Sequence, residues 1–177
     1  MQPSLKARVI TSAVAIPIIV LILLAPDWVM LIAVALCSLV GIFEFYGAVN
    51  MGKRLPILCV FGYLAAVLVP LCSLLSPQQI LTCAFMYLVI LFLVMLASHR
   101  KVMITDVAML IMGVIYVPFL LSNMLFVKQL EFGNFLVWLV FVGAFTTDTS
   151  AFFAGKTLGR HKLCPTTVSY THLRAHE

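Results

Sequence analysis

The sequence predicts an all-α fold, a polytopic transmembrane bundle of about six helical spans. Three observations predict it. Of 177 residues, 64% are apolar and only 10% are charged, and the mean hydropathy is +1.18. Soluble domains sit near half apolar and a quarter charged, and a water-soluble chain of this length could not bury so much apolar surface. The apolar residues also fall into runs long enough to cross a hydrocarbon core, which takes roughly 20 helical residues. Finally, the charges lie mostly between the runs, and every second gap is basic.

The first run is Val9 to Ala25, closed by Pro26-Asp27. Its interior Pro17 is tolerable where neighbouring helices satisfy the freed backbone group. Trp28 to Tyr46 forms the second, with Trp28 placed as an interfacial anchor. Leu55 to Leu75 is the third, and the polar turn Ser76-Pro77-Gln78-Gln79 separates it from the fourth, Ile80 to Ala97. The fifth, Ile104 to Val127, is expected to bend at Pro118. Phe135 to Ala154 is the sixth.

Lys6 and Arg8, Lys53 and Arg54, Arg100 and Lys101, and Lys156, Arg160 and Lys162 occupy the gaps on one side. The other side carries Lys128 as its one cation, with Asp27 and Glu131. The positive-inside rule therefore puts the N-terminus and the segment after the sixth span in the cytoplasm, and the expectation is a multi-pass protein of the cell (cytoplasmic) membrane. The net charge of +5 does not point to nucleic acid, because the cations are spread among the gaps and not gathered on one face. Cys37, Cys59, Cys72, Cys83 and Cys164 include no CxxC pair and are expected to be reduced, small core residues.

Ionisable groups within apolar spans are costly and so are functional candidates. Glu44 lies near the end of the second span. It either serves function or is an interfacial residue, reaching headgroups or pairing with Lys53 or Arg54. Asp148 lies in the sixth span among Thr146, Thr147, Thr149 and Ser150. A carboxylate among hydroxyls suits a wet cavity or a metal-facing surface, although small and hydroxyl residues also glue helices together. Gly143, Thr147 and Ala151 recur every four residues, and Gly155 and Gly159 make a GxxxG. Beyond Asp148, Lys156, Arg160, His161 and Lys162 cluster at the mouth of the span. They can grip phosphates of a nucleotide or a lipid headgroup, or simply anchor topology. Gly155-Lys156-Thr157 imitates a phosphate-binding loop but lacks the earlier glycine, since that position is Ser150. His172 and His176 have a metal-compatible spacing without any partner ligand nearby. A carboxylate beside a cationic, glycine-rich mouth suits chemistry on a phosphorylated lipid with a divalent metal. The alternative is a small membrane transporter or ion-pathway subunit, using Asp148 and Glu44. A non-catalytic membrane assembly protein is a third reading.

Thr147-Asp148-Thr149-Ser150-Ala151-Phe152-Phe153-Ala154-Gly155-Lys156, followed by Leu158-Gly159-Arg160-His161-Lys162-Leu163-Cys164-Pro165, resembles the central segment of the bacterial phosphatidate cytidylyltransferase (CDP-diacylglycerol synthase) family. That family reads TDTGAYFxG and then GKHKLAP. Arg8-Val9-Ile10-Thr11 and Phe43-Glu44-Phe45-Tyr46 fit its opening, so the resemblance covers most of Arg8 to Pro165. It implies transfer of a cytidylyl group from CTP to phosphatidate, giving CDP-diacylglycerol and pyrophosphate, with Mg²⁺ organising the phosphates. It also implies that Asp148 belongs to the active-site cavity, with Lys156, Arg160, His161 and Lys162 at its cytoplasmic entrance. A homodimer is compatible with this reading. Ser150 stands where the family has glycine, and Tyr170 to Glu177 leave the family pattern. The expectation is thus a family-like N-terminal part over residues 1–165 and a truncated, non-native tail over 166–177. Such a chain lacks the family's later signature of metal-binding aspartates and would be an inactive fragment.

Overall fold

The computed structural model describes residues 5–98 and 102–157, with side chains described over 13–98 and 102–155. Every long element is a helix. The order is α1 (Leu5–Leu24), α2 (Asp27–Ala48), the short α3 (Met51–Arg54), α4 (Pro56–Leu71), α5 (Pro77–Ala97), α6 (Ile104–Val114), α7 (Leu120–Lys128) and α8 (Gly133–Thr157). A 3₁₀ turn at Cys72–Leu74 extends α4, and a π-helical segment at Ile115–Phe119 joins α6 to α7 without a break. In lipid every backbone N–H and C=O must find an internal partner, which makes helices the obligatory solution for these apolar runs.

Each of the six sequence runs coincides with helix. Among the described residues, 5 helices are long and apolar enough to cross a membrane, and α1 contributes the shorter apolar stretch Ala13–Leu24. The chain is a multi-pass membrane protein.

Local chemistry sets the helix ends. Pro56 and Pro77 open α4 and α5, at positions where the missing N–H costs nothing. Ser76 caps α5, its N–H donating to Gln79 Oε1 at 2.9 Å. At the turn after α2, Asn50 takes a left-handed conformation with φ 55°, which a short polar side chain tolerates. At Pro118, where a bend is expected, the helix adopts the π segment, whose five-residue hydrogen-bond register carries the chain past a residue that has no N–H. The Ser122 hydroxyl then donates to the Pro118 carbonyl at 2.6 Å.

The chain divides into two compact units, Met1–Val137 and Trp138–Glu177. The core of the first lies where α2, α4, α6 and the π segment meet, around Ile42, Tyr46, Leu58, Ala66 and Leu110. Tyr46 is its centre. The hydroxyl donates to the Leu110 carbonyl at 3.3 Å, and the ring meets Phe45 and Tyr63 edge-on at 5.9 and 6.0 Å. Gly62 makes room for it, since a Cβ there would lie 2.1 Å from the Tyr46 hydroxyl. Gly41 likewise admits Val117. Lipid supplies no hydrophobic drive between helices, so small residues that let backbones approach are what hold such a bundle. Tyr87 ties α5 to this core by donating to the Phe61 carbonyl at 3.3 Å. Large apolar side chains such as Leu36, Phe43, Leu81 and Phe92 point outward, as a lipid solvent requires.

Of the four cysteines among the described residues, only Cys59 is buried. Cys37 and Cys83 are exposed on outward faces and Cys72 is half-buried, so the expectation that all are core residues holds for one of these four. All four are free thiols. Cys164 lies outside the described residues.

Candidate functional site

Two ion pairs occupy opposite ends of the first unit, and their positions follow from antiparallel helices. The chain runs one way through α2 and the other way through α6, the π segment and α7. The end of α2 with its short α3 therefore meets the start of α6, while the start of α2 meets the end of α7. At the first end the Arg54 guanidinium binds the Asp106 carboxylate. Asp106 is buried, with its side chain 10% exposed, whereas the Arg54 side chain is 59% exposed. Asp106 also accepts the Met103 N–H through Oδ2 at 2.9 Å, so one carboxylate both caps α6 and anchors α3. At the other end, Lys128 Nζ lies 3.1 Å from Asp27 Oδ1.

The Asp106 role was not legible as a site in the sequence. Its signal was local: a carboxylate three residues after Met103 at a helix start, the spacing of a reciprocal cap. The pairing corrects one reading of Glu44. Arg54 takes Asp106 as its partner, and Glu44 is exposed on α2, with no ion pair among the described residues. It remains a carboxylate on an apolar span, at the same end as Arg54.

Asp148 lies in the second unit, on α8. It is exposed, as are Thr146, Thr149 and Ser150 around it. Thr147 turns its hydroxyl back to the Gly143 carbonyl at 2.8 Å, a bond that satisfies the side chain within its own helix. Phe141 and Phe145 stack at 6.3 Å one turn earlier, and Phe152 and Phe153 meet edge-on at 5.7 Å one turn later. The polar stretch is thus bracketed by aromatic rings. A Cβ added at Gly143 or Gly155 would meet no atom within 4 Å among the described residues. Lys156 belongs to the last turn of α8, with its side chain outside the described set. Arg160, His161 and Lys162, together with His172, His176 and the expected tail at 166–177, also lie outside the described residues.

No three of His, Cys, Asp and Glu gather into a metal cage among the described residues. Mg²⁺ seldom needs one: it is commonly held by one or two carboxylates together with substrate phosphates and water. Asp148, exposed and flanked by hydroxyls, fits the part of a single protein ligand.

Neither the curated proteins nor the solved structures give a match to this chain. A family model does: the one described as the cytidylyltransferase family matches residues 6–169. That stretch takes in all eight helices but for the first residue of α1, together with Asp148 and the four basic residues that follow it. By this match over nearly its whole length, the chain belongs to the cytidylyltransferase family.

Proposed function

We propose that this protein is a phosphatidate cytidylyltransferase, acting at the cytoplasmic face of the cell inner membrane in phospholipid biosynthesis. One observation carries the reading: a cytidylyltransferase family match that extends over a set of membrane-crossing helices. A CTP-type nucleotide is soluble, while a protein built of apolar spans meets its second substrate in lipid. An acceptor that is itself a phosphomonoester on a lipid satisfies both conditions, and phosphatidate is such a lipid.

The reaction balances without any redox partner. A phosphate oxygen of phosphatidate attacks the α-phosphorus of CTP. The bond from that phosphorus to the bridging oxygen breaks, and pyrophosphate leaves with the electron pair. Negative charge crowds at the phosphates, so catalysis rests on positioning and charge neutralisation. Lys156, Arg160, His161 and Lys162 are the residues suited to grip the phosphates, with Arg able to do so through paired N–H donors. Asp148 would supply a carboxylate for Mg²⁺. That ion, when bound, offsets phosphate charge and keeps the leaving group in line.

The test uses the full-length gene product in vesicles, with CTP labelled at the α-phosphorus. Label should pass into lipid only when phosphatidate is present, and pyrophosphate should appear in equal amount. Transfer to a lipid alcohol without phosphate would replace phosphatidate as acceptor. Ion flux through the vesicles in the absence of CTP, with no transfer, would favour a transporter instead.

A further inference from the structure

At the end of the first unit that carries Lys128, the start of α2 and the ends of α4 and α7 enclose a cavity of about 300 Å³. Its wall is mainly apolar, with Trp28, Leu31, Leu71 and Leu125 contributing, and its polar side is made by Asp27, Ser73, Lys128 and Gln129. The charges are placed asymmetrically: the Lys128 side chain is 8% exposed and the Asp27 side chain is 90% exposed. A positive charge therefore sits inside and a negative charge at the rim.

Neither charge is saturated. An ammonium has three N–H donors. Lys128 Nζ lies 3.1 Å from Asp27 Oδ1 and donates to the Ala25 carbonyl at a longer 3.4 Å. The Asp27 carboxylate has a second oxygen and faces outward. Gln129 is otherwise engaged: its Nε2 donates to the Ser73 carbonyl at 2.8 Å, tying α7 to the end of α4. Burying an ammonium in an apolar wall against one exposed carboxylate is a poor bargain for stability alone. It becomes favourable once an anion joins the ammonium.

The ligand chemistry follows from this order of charges. An anion must reach inward to Lys128, a cation should stay near the rim at Asp27, and an apolar chain should cover Trp28 and Leu31. A phosphodiester, a primary ammonium and an acyl chain are the three parts of an ethanolamine phospholipid. The primary ammonium has N–H groups to donate to a carboxylate, whereas the quaternary ammonium of a choline lipid has none. Trp28 is the residue type that settles at headgroup depth, where such a lipid would lie.

We propose that this cavity binds one phospholipid with an ethanolamine-type headgroup, its phosphate on Lys128 and its ammonium on Asp27. The proposal concerns residues between Ala25 and Gln129 alone and is independent of the role of Asp148.

The experiment reconstitutes the full-length protein in nanodiscs holding equal phosphatidylethanolamine and phosphatidylcholine of matched chains. The lipid retained by the protein is then counted by native mass spectrometry. A charge-assisted hydrogen bond should favour the ethanolamine lipid by about tenfold. Asp27→Asn, at an exposed position, should bring the two lipids to near parity while a bound lipid persists. Lys128→Gln should lower retention of both; if that variant fails to fold, Asp27→Asn carries the test by itself. Equal retention of the two lipids by the unaltered protein overturns the proposal, as does a preference that survives Asp27→Asn or the absence of any retained lipid. Displacement by soluble phosphoethanolamine at the lipid's own concentration would also overturn it, since the apolar wall would then contribute nothing.

Discussion

Arg54 and Asp106, 52 residues apart in the chain, meet as an ion pair in which the carboxylate is buried and the guanidinium half-exposed. The same carboxylate receives the Met103 N–H. Cap and ion pair thus depend on one side chain, and the two partners should not be equivalent. Asp106→Ala removes both interactions and should cost about 2 kcal/mol, while Arg54→Ala removes only the bond to a solvent-screened guanidinium, leaves the carboxylate its Met103 N–H, and should cost about 1 kcal/mol. Thermal unfolding in a fixed detergent checks this. Equal losses for the two variants would mean that the cap contributes nothing.

Tyr46 and Gly62 predict a steric result. Gly62→Ala drives a methyl into the phenol and should destabilise the bundle by about 1–3 kcal/mol, the usual range for overpacking. Tyr46→Phe should cost less, about 0.6 kcal/mol, the average for a side-chain hydrogen bond between membrane helices. Combined with Gly62→Ala it should recover only part of the loss, because ring carbons lie at 2.5 and 2.6 Å from the added Cβ as well. Gly47→Ala is the control. Nothing lies within 4 Å of that Cβ, so the higher helix propensity of alanine should leave stability unchanged or raise it.

Orientation is testable with single cysteines in a background that lacks the native ones. The charge pattern expects the α2–α4 turn to face the cytoplasm and the α7–α8 turn to face the opposite side. Gly52→Cys should then resist a membrane-impermeant maleimide in intact cells and react in inverted vesicles. Glu131→Cys should do the reverse. Labelling of Gly52→Cys from outside intact cells would invert the topology and place the basic mouth after α8 away from soluble CTP.

For the proposed transferase, Asp148→Asn should lower kcat by at least about 10²-fold, the scale of losing one electrostatic group at a transition state. The exposed position of Asp148 means the variant should unfold at the temperature of the unaltered protein. Activity that persists within a few-fold would remove Asp148 from the reaction.

Much of the architecture was legible from residues alone. Each apolar run became a helix, although the stretch expected as a turn before the fourth run, Pro77 to Gln79, forms the first turn of α5. The departure at Pro118 was anticipated in place, though not in its π-helical form. The resemblance carried by Thr147 to Pro165 agrees with the family match at residues 6–169. Asp106 was overlooked because a carboxylate next to a basic gap looks like one more interfacial charge. Only the approach of α3 gives it a partner.

Hydropathy, charge spacing and helix punctuation are properties of short windows, so the amino-acid order by itself determined the solvent, the spans and the family. Which distant windows touch is a different quantity. The Tyr46 hydroxyl finds the Leu110 carbonyl 64 residues away. Lys128 is drawn into an apolar wall beside Asp27, and Gly62 is left without a side chain for the sake of a ring from another helix. In lipid all outward faces are equally welcome, so apolarity cannot choose the inward ones. Steric fit and the pairing of buried polar groups choose them, and those exist only once the helices have packed.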